Sequence, residues 1–108
     1  MAAAEAFETI FLRAFADCYV SEISHEGSTM ADLADFQRRG FTIGIQDVLF
    51  VLKNGEVFYS EKNDADGSMW RVSGETCHGD EVVVSMRVWC DRYKVRILSV
   101  DILGVENA

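Results

Sequence analysis

Apolar residues recur at intervals of three and four at the start of the chain. Phe7, Ile10, Phe11, Ala14, Phe15 and Cys18 follow the spacing of one continuous helical stripe, with Glu5, Glu8, Arg13 and Asp17 on the other side. Glu5 and Glu8 also stand near the N-terminal end, where the helix dipole favours negative charge. The polar run Ser24-His25-Glu26-Gly27 predicts the exit, with Gly27 suited to a left-handed C-cap. A second helix is expected over 30–39, capped by Ser28 or Thr29, with Asp32 returning a capping-box contact to Thr29. Arg38 and Arg39 complement its negative end, and Gly40 stops it. A third helix over 44–53 carries Ile45, Val48, Leu49 and Leu52, and Asn54-Gly55 ends it.

After Gly55 the period becomes two. Strands are expected over 56–61, 69–76, 81–89 and 92–103, with a loop at 62–68, a turn at 77–80 and Cys90-Asp91 as a two-residue hairpin loop. Alternation puts Trp70 and Val72 on one face of the second strand and Arg71 and Ser73 on the other. Helices first and strands afterwards predict an α+β fold, with N-terminal helices packed on one face of a three- to four-stranded antiparallel sheet. The 108 residues suit a single domain with one core. Its first helix and exit turn occupy 1–27, and the remaining helices and sheet 28–103.

Charge changes the picture of what such a domain could bind. Eighteen acidic residues against ten basic ones give a net charge of −8, which disfavours avid nucleic-acid binding. At 49% hydrophobic the chain is no disordered tail, yet no stretch approaches the ~20 apolar residues of a membrane span. Residues 1–5 lack the basic region of a secretory leader. Cys18, Cys77 and Cys90 form an odd set without Cys-x-x-Cys spacing, so reduced thiols and a cytoplasmic location are expected.

Three features offer candidate chemistry. Asp64-Ala65-Asp66-Gly67 has the alternating acids of half a calcium loop, but the twelfth position, Glu75, falls inside a strand, so a solvated turn is expected. Cys77-His78 and Cys90-Asp91 come as adjacent pairs without the spacer of zinc sites, so neither metal nor cofactor is expected. The segment 69–100 is different, because it holds five basic residues against four acidic ones. Alternation lets Arg71, Arg87 and Arg96 meet on the sheet face away from the helices, near Trp89 and Tyr59. Such a face suits RNA or an acidic protein partner, but in so acidic a chain cross-strand ion pairing and snorkelling on a solvated surface is the expectation. Glycine-rich phosphate loops, a Ser/His/Asp order and a glycosidase carboxylate pair are missing from the sequence.

The stretch from Gly40-Phe41-Thr42 through Val48-Leu49-Phe50-Val51-Leu52-Lys53-Asn54-Gly55-Glu56-Val57 resembles a family of short, uncharacterised bacterial domains. Phe58-Tyr59, Met69-Trp70 and Val95-Arg96-Ile97-Leu98-Ser99-Val100 are similar to the MqsR branch of RelE-like toxins, the messenger-RNA interferases of toxin–antitoxin pairs. The resemblance implies a RelE-like sheet whose open face carries an RNA site. Where those toxins place lysine, glutamine, tyrosine and a final lysine, this chain has Ser60, Arg71, a valine at 83 or 84, and Asp101. Where the uncharacterised family has His-x-x-x-Arg, it has Ala31 and Asp35. The resemblance therefore implies a toxin–antitoxin-associated domain with a degenerate or absent nuclease site. A protein partner, antitoxin-like or regulatory, is then expected. As an active interferase it would rely on Arg71, Arg87 or Arg96 for phosphorane charge, with His78 or Tyr59 as the acid–base group and Trp89 binding. The aromatic stripe of Phe7, Phe11 and Phe15 leaves room for a homodimer through the first helix.

Overall fold

The computed structural model describes residues 7–18, 23–25, 27–63 and 65–103. The helices are α1 (Phe7–Cys18), α2 (Gly27–Arg38) and α3 (Ile45–Asn54); the strands are β1 (Ile23–His25), β2 (Glu56–Glu61), β3 (Ser68–Glu75), β4 (Glu81–Trp89) and β5 (Lys94–Ile102). The sheet has five strands in the order β1-β5-β4-β3-β2. The α+β class holds, but the sheet is mixed: β1 runs parallel to β5, through pairs such as Ser24 with Arg96. The polar run read as a helix exit supplies this strand instead, since Ser24 and His25 stand at an exposed sheet edge that does not need apolar side chains. Glu26 and the leader reading at 1–5 lie outside the described residues.

One face of the sheet is apolar and carries the helices. Trp70 and Val72 of β3, Val82, Val84, Met86 and Val88 of β4, and Val95, Ile97 and Val100 of β5 are buried there with Leu33 and Phe36 of α2 and Val48, Val51 and Leu52 of α3. Each such aliphatic side chain contributes about 1.5–3 kcal/mol on burial, so this layer dominates stability. Gly55 sits where α3 turns into β2; a Cβ there would come within 2.7 Å of the Val51 carbonyl oxygen. Gly40 closes α2 at φ +91°, and the Phe41 N–H returns to the Phe36 carbonyl at 2.9 Å, the 6→1 bond of a left-handed helix stop.

Three local expectations are corrected. First, α1 is rotated from the stripe predicted for it: Thr9, Leu12, Phe15 and Ala16 are buried, while Phe7 and Ile10 stay 64% and 53% exposed. Thr9 turns inward because its hydroxyl accepts the Val57 N–H of edge strand β2 at 2.9 Å. Phe11 fills the flank, edge-on to Trp70 at 5.7 Å and stacked with Tyr93 at 6.4 Å, so α1 is seated on its own chain. Second, α2 begins at Gly27, and Ser28, Thr29 and Asp32 do not cap it. They reach β5 at the Leu98 and Ile97 carbonyls and the Val100 N–H, where a bulge interrupts the ladder to β4. Third, β4 and β5 are joined by four residues, 90–93, with Tyr93 at φ 51°, in place of the two-residue loop.

Candidate functional site

The opposite sheet face is polar, and the register fixes which side chains share it. One row across the sheet runs Tyr59, Arg71, Ser85, Ser99; the next runs Glu61, Met69, Arg87, Arg96, Ser24. The alternation predicted for Arg71, Arg87 and Arg96 is the one found. Arg87 and Arg96 are direct partners on adjacent antiparallel strands, an arrangement that places like charges opposite one another.

Around this pair opens a cleft of about 750 Å³, lined by Arg87, Trp89, Arg92, Lys94 and Arg96 together with Ser24 and Asp66. Its rim is the β2–β3 loop. Asn63 Oδ1 accepts the N–H groups of Ala65 and Asp66, both at 3.0 Å, which closes the loop as an Asx turn. Asp64 of the calcium-like reading lies outside the described residues. Gly67, at φ +83°, lies against the Trp89 indole so closely that a Cβ would stand 2.6 Å from the ring. Arg87 Nη1 donates to the Gly67 carbonyl at 3.2 Å, so this arginine holds the rim as well as lining the cleft.

Beside the cleft, and sharing Arg87 with it, a hollow of about 260 Å³ is lined by Tyr59, Glu61, Asn63, Met69 and Arg71. The Arg71 guanidinium lies 5.2 Å from the centre of the Tyr59 ring, a cation–π contact. The Tyr59 hydroxyl donates to Glu61 at 2.7 Å; that hydrogen bond, then the Glu61 charge, pushes the phenol above its ordinary pKa. Glu61 as the partner of Tyr59 was missed from the sequence, although the two stand two apart on one strand and so share a face.

His78 is not part of this face. It lies in the turn between β3 and β4, against Asp47 of α3, with Nε2 3.9 Å from Oδ1. The strand span between that turn and Arg87 is roughly 25 Å at 3.3 Å per residue. The turn is built on Thr76, whose hydroxyl accepts the His78 and Asp80 N–H groups, both at 3.2 Å. Cys77 Sγ donates to Asp47 Oδ1 at 3.1 Å, and this hydrogen bond, followed by desolvation, pushes the thiol pKa up. Asp47 is buried, and its second oxygen accepts the Gly44 N–H at 2.9 Å at the start of α3. Cys90 and Asp91, grouped with Cys77 and His78 when read by spacing, stand at the other end of β4 beside Phe7 and Glu8. Burial pushes the Cys90 thiol up, and the Asp91 and Glu8 charges add to it.

Comparison of the chain with protein-family models, with curated proteins and with solved structures finds no match. No helix among the described residues is long and apolar enough to cross a membrane.

Proposed function

We propose that this is a small binding domain without catalysis, whose sheet-face cleft receives an acidic segment of a partner protein. The partner would be antitoxin-like or regulatory, in keeping with a cytoplasmic, toxin–antitoxin-associated domain of RelE-like arrangement. One observation carries the reading. Arg87 and Arg96 are register partners, and Lys94 and Arg92 line the same cleft, in a chain of net charge −8. Four basic side chains gathered around one cleft make it complementary in charge to an acidic segment. Trp89 supplies an apolar wall beside the cations, the usual composition of an interface anchor. The distance of His78 from the arginines and the engagement of Tyr59 with Glu61 weigh against acid–base work on this face.

Fluorescence anisotropy with a labelled oligoglutamate peptide and a labelled oligouridylate tests the reading. The peptide should bind with an affinity that falls as salt rises, and Lys94→Glu with Arg96→Glu should abolish it. Tighter binding of the oligouridylate would overturn it.

A second reading, a messenger-RNA interferase, draws on the Tyr59–Glu61–Arg71 group beside Arg87. It requires growth arrest and discrete messenger-RNA cleavage when the chain alone is expressed in bacteria, both lost in Arg71→Ala. Normal growth with intact RNA removes it.

A further inference from the structure

The turn between β3 and β4 and the first turn of α3 meet far from the sheet-face cleft, and they bring three donors of different chemistry together. Asp47 carboxylate oxygen, Cys77 Sγ and a His78 ring nitrogen all lie within 4.8 Å of one another. Thiolate, imidazole and carboxylate are the three side-chain ligand types that zinc accepts. We propose that Asp47, Cys77 and His78 bind a zinc ion through three protein ligands, with the fourth tetrahedral position left to water.

The geometry is close to what the ion needs. Zinc bond lengths of about 2.0–2.3 Å at tetrahedral angles put neighbouring ligand atoms roughly 3.3–3.5 Å apart. The sulfur stands 3.1 Å and the imidazole nitrogen 3.9 Å from the same Asp47 oxygen. The sulfur and the imidazole nitrogen are within 4.8 Å of each other, so adjustments of up to roughly 1.3 Å complete the site, and they fall on Cys77 and His78, which are exposed on a turn. Asp47 is the fixed ligand: its second oxygen is held by the Gly44 N–H, the kind of outer bond that orients a metal-bound carboxylate. Thr76 fixes the turn by gathering two of its N–H groups. On binding, the Cys77 thiol gives its proton to solvent, and Asp47 Oδ1 exchanges that S–H donor for the metal.

Local charge favours a cation. Residues 75–81 carry Glu75, Asp80 and Glu81 and no lysine or arginine. The N-terminal end of α3 opposes a positive ion, and the two anionic ligands offset it.

The test uses the full chain, purified without a metal-affinity step, stripped with chelator and titrated with cobalt(II) and then zinc. One equivalent of cobalt should give the near-ultraviolet thiolate-to-cobalt absorption and the visible bands of a tetrahedral site, and zinc should displace it. Cys77→Ser should lose the thiolate band, and His78→Ala should weaken zinc binding roughly tenfold or more in chelator competition. Both positions are exposed, so the fold should survive, which circular dichroism checks. Cys90→Ser and Cys18→Ser should bind as the parent does. Absence of the thiolate band in the parent, its persistence in Cys77→Ser, or its loss in Cys90→Ser or Cys18→Ser would overturn the site.

Discussion

Arg87 of β4 and Arg96 of β5 stand directly opposite one another on the open face of the sheet. Opposed like charges on adjacent strands repel by a fraction of a kcal/mol up to about 1 kcal/mol. A double-mutant cycle with Arg87→Ala, Arg96→Ala and the pair isolates that coupling from whatever else each arginine touches. Urea unfolding should return an unfavourable coupling of a few tenths of a kcal/mol to about 1 kcal/mol, reduced by salt. A favourable coupling would mean that the two guanidiniums do not repel one another across the strands.

The cleft wall depends on Gly67. Its positive φ and its contact with the Trp89 ring both resist a side chain, so Gly67→Ala should destabilise the domain by about 1–3 kcal/mol. The same change should shift Trp89 emission, read in a Trp70→Phe background that leaves one indole. Unchanged emission and stability would show that the loop does not rest on Trp89.

Thr29 is wholly buried, and its hydroxyl donates to the Ile97 carbonyl at 3.2 Å beside the β5 bulge. Thr29→Val keeps the shape and removes the donor, leaving that carbonyl without its bond at a cost of about 1–3 kcal/mol. Thr29→Ser should recover most of the loss. Equal urea midpoints for the parent and the valine variant would contradict the assignment of this bond to the bulge.

Tyr59 keeps its proton to higher pH than an ordinary phenol, chiefly through the hydrogen bond to Glu61. Spectrophotometric titration should place the phenolate transition above that of an ordinary tyrosine, and Glu61→Gln should lower it. The folded state holds this proton more tightly than the unfolded chain. The linked stability is therefore present below the unfolded pKa and is lost as pH rises through the folded one. An unshifted transition in Glu61→Gln would show that the carboxylate is not the cause.

Local periodicity made much of this fold legible. The i, i+3, i+4 spacing located α3, and the two-residue period located β2, β3 and β4 and separated Trp70 from Arg71. It also placed Arg71, Arg87 and Arg96 on one face, since alternation is a local property. What it missed depends on partners distant in sequence. β1 has three residues, and only β5, some seventy residues later, makes it a strand. Ser28, Thr29 and Asp32 carry the signature of a helix cap, but the bulge in β5 competes for the same side chains. Asp47 joined Cys77 and His78 unannounced for a similar reason: thirty residues separate it from Cys77, and its capping role already explains an acid in that position. Alternation also puts Lys94 on the side of β5 that carries Arg96, whereas the place of Arg92 in the cleft depends on the turn at 90–93.

The central claim is that the sheet face binds an acidic protein segment, and a nitrogen–proton NMR titration of the labelled domain with an oligoglutamate peptide tests it most directly. The account predicts saturable shifts at the Trp89 indole N–H and along residues 87–96, with the Trp70 indole and α3 unmoved. No shifts, or shifts centred on α1 or on the turn at 76–80, would contradict it.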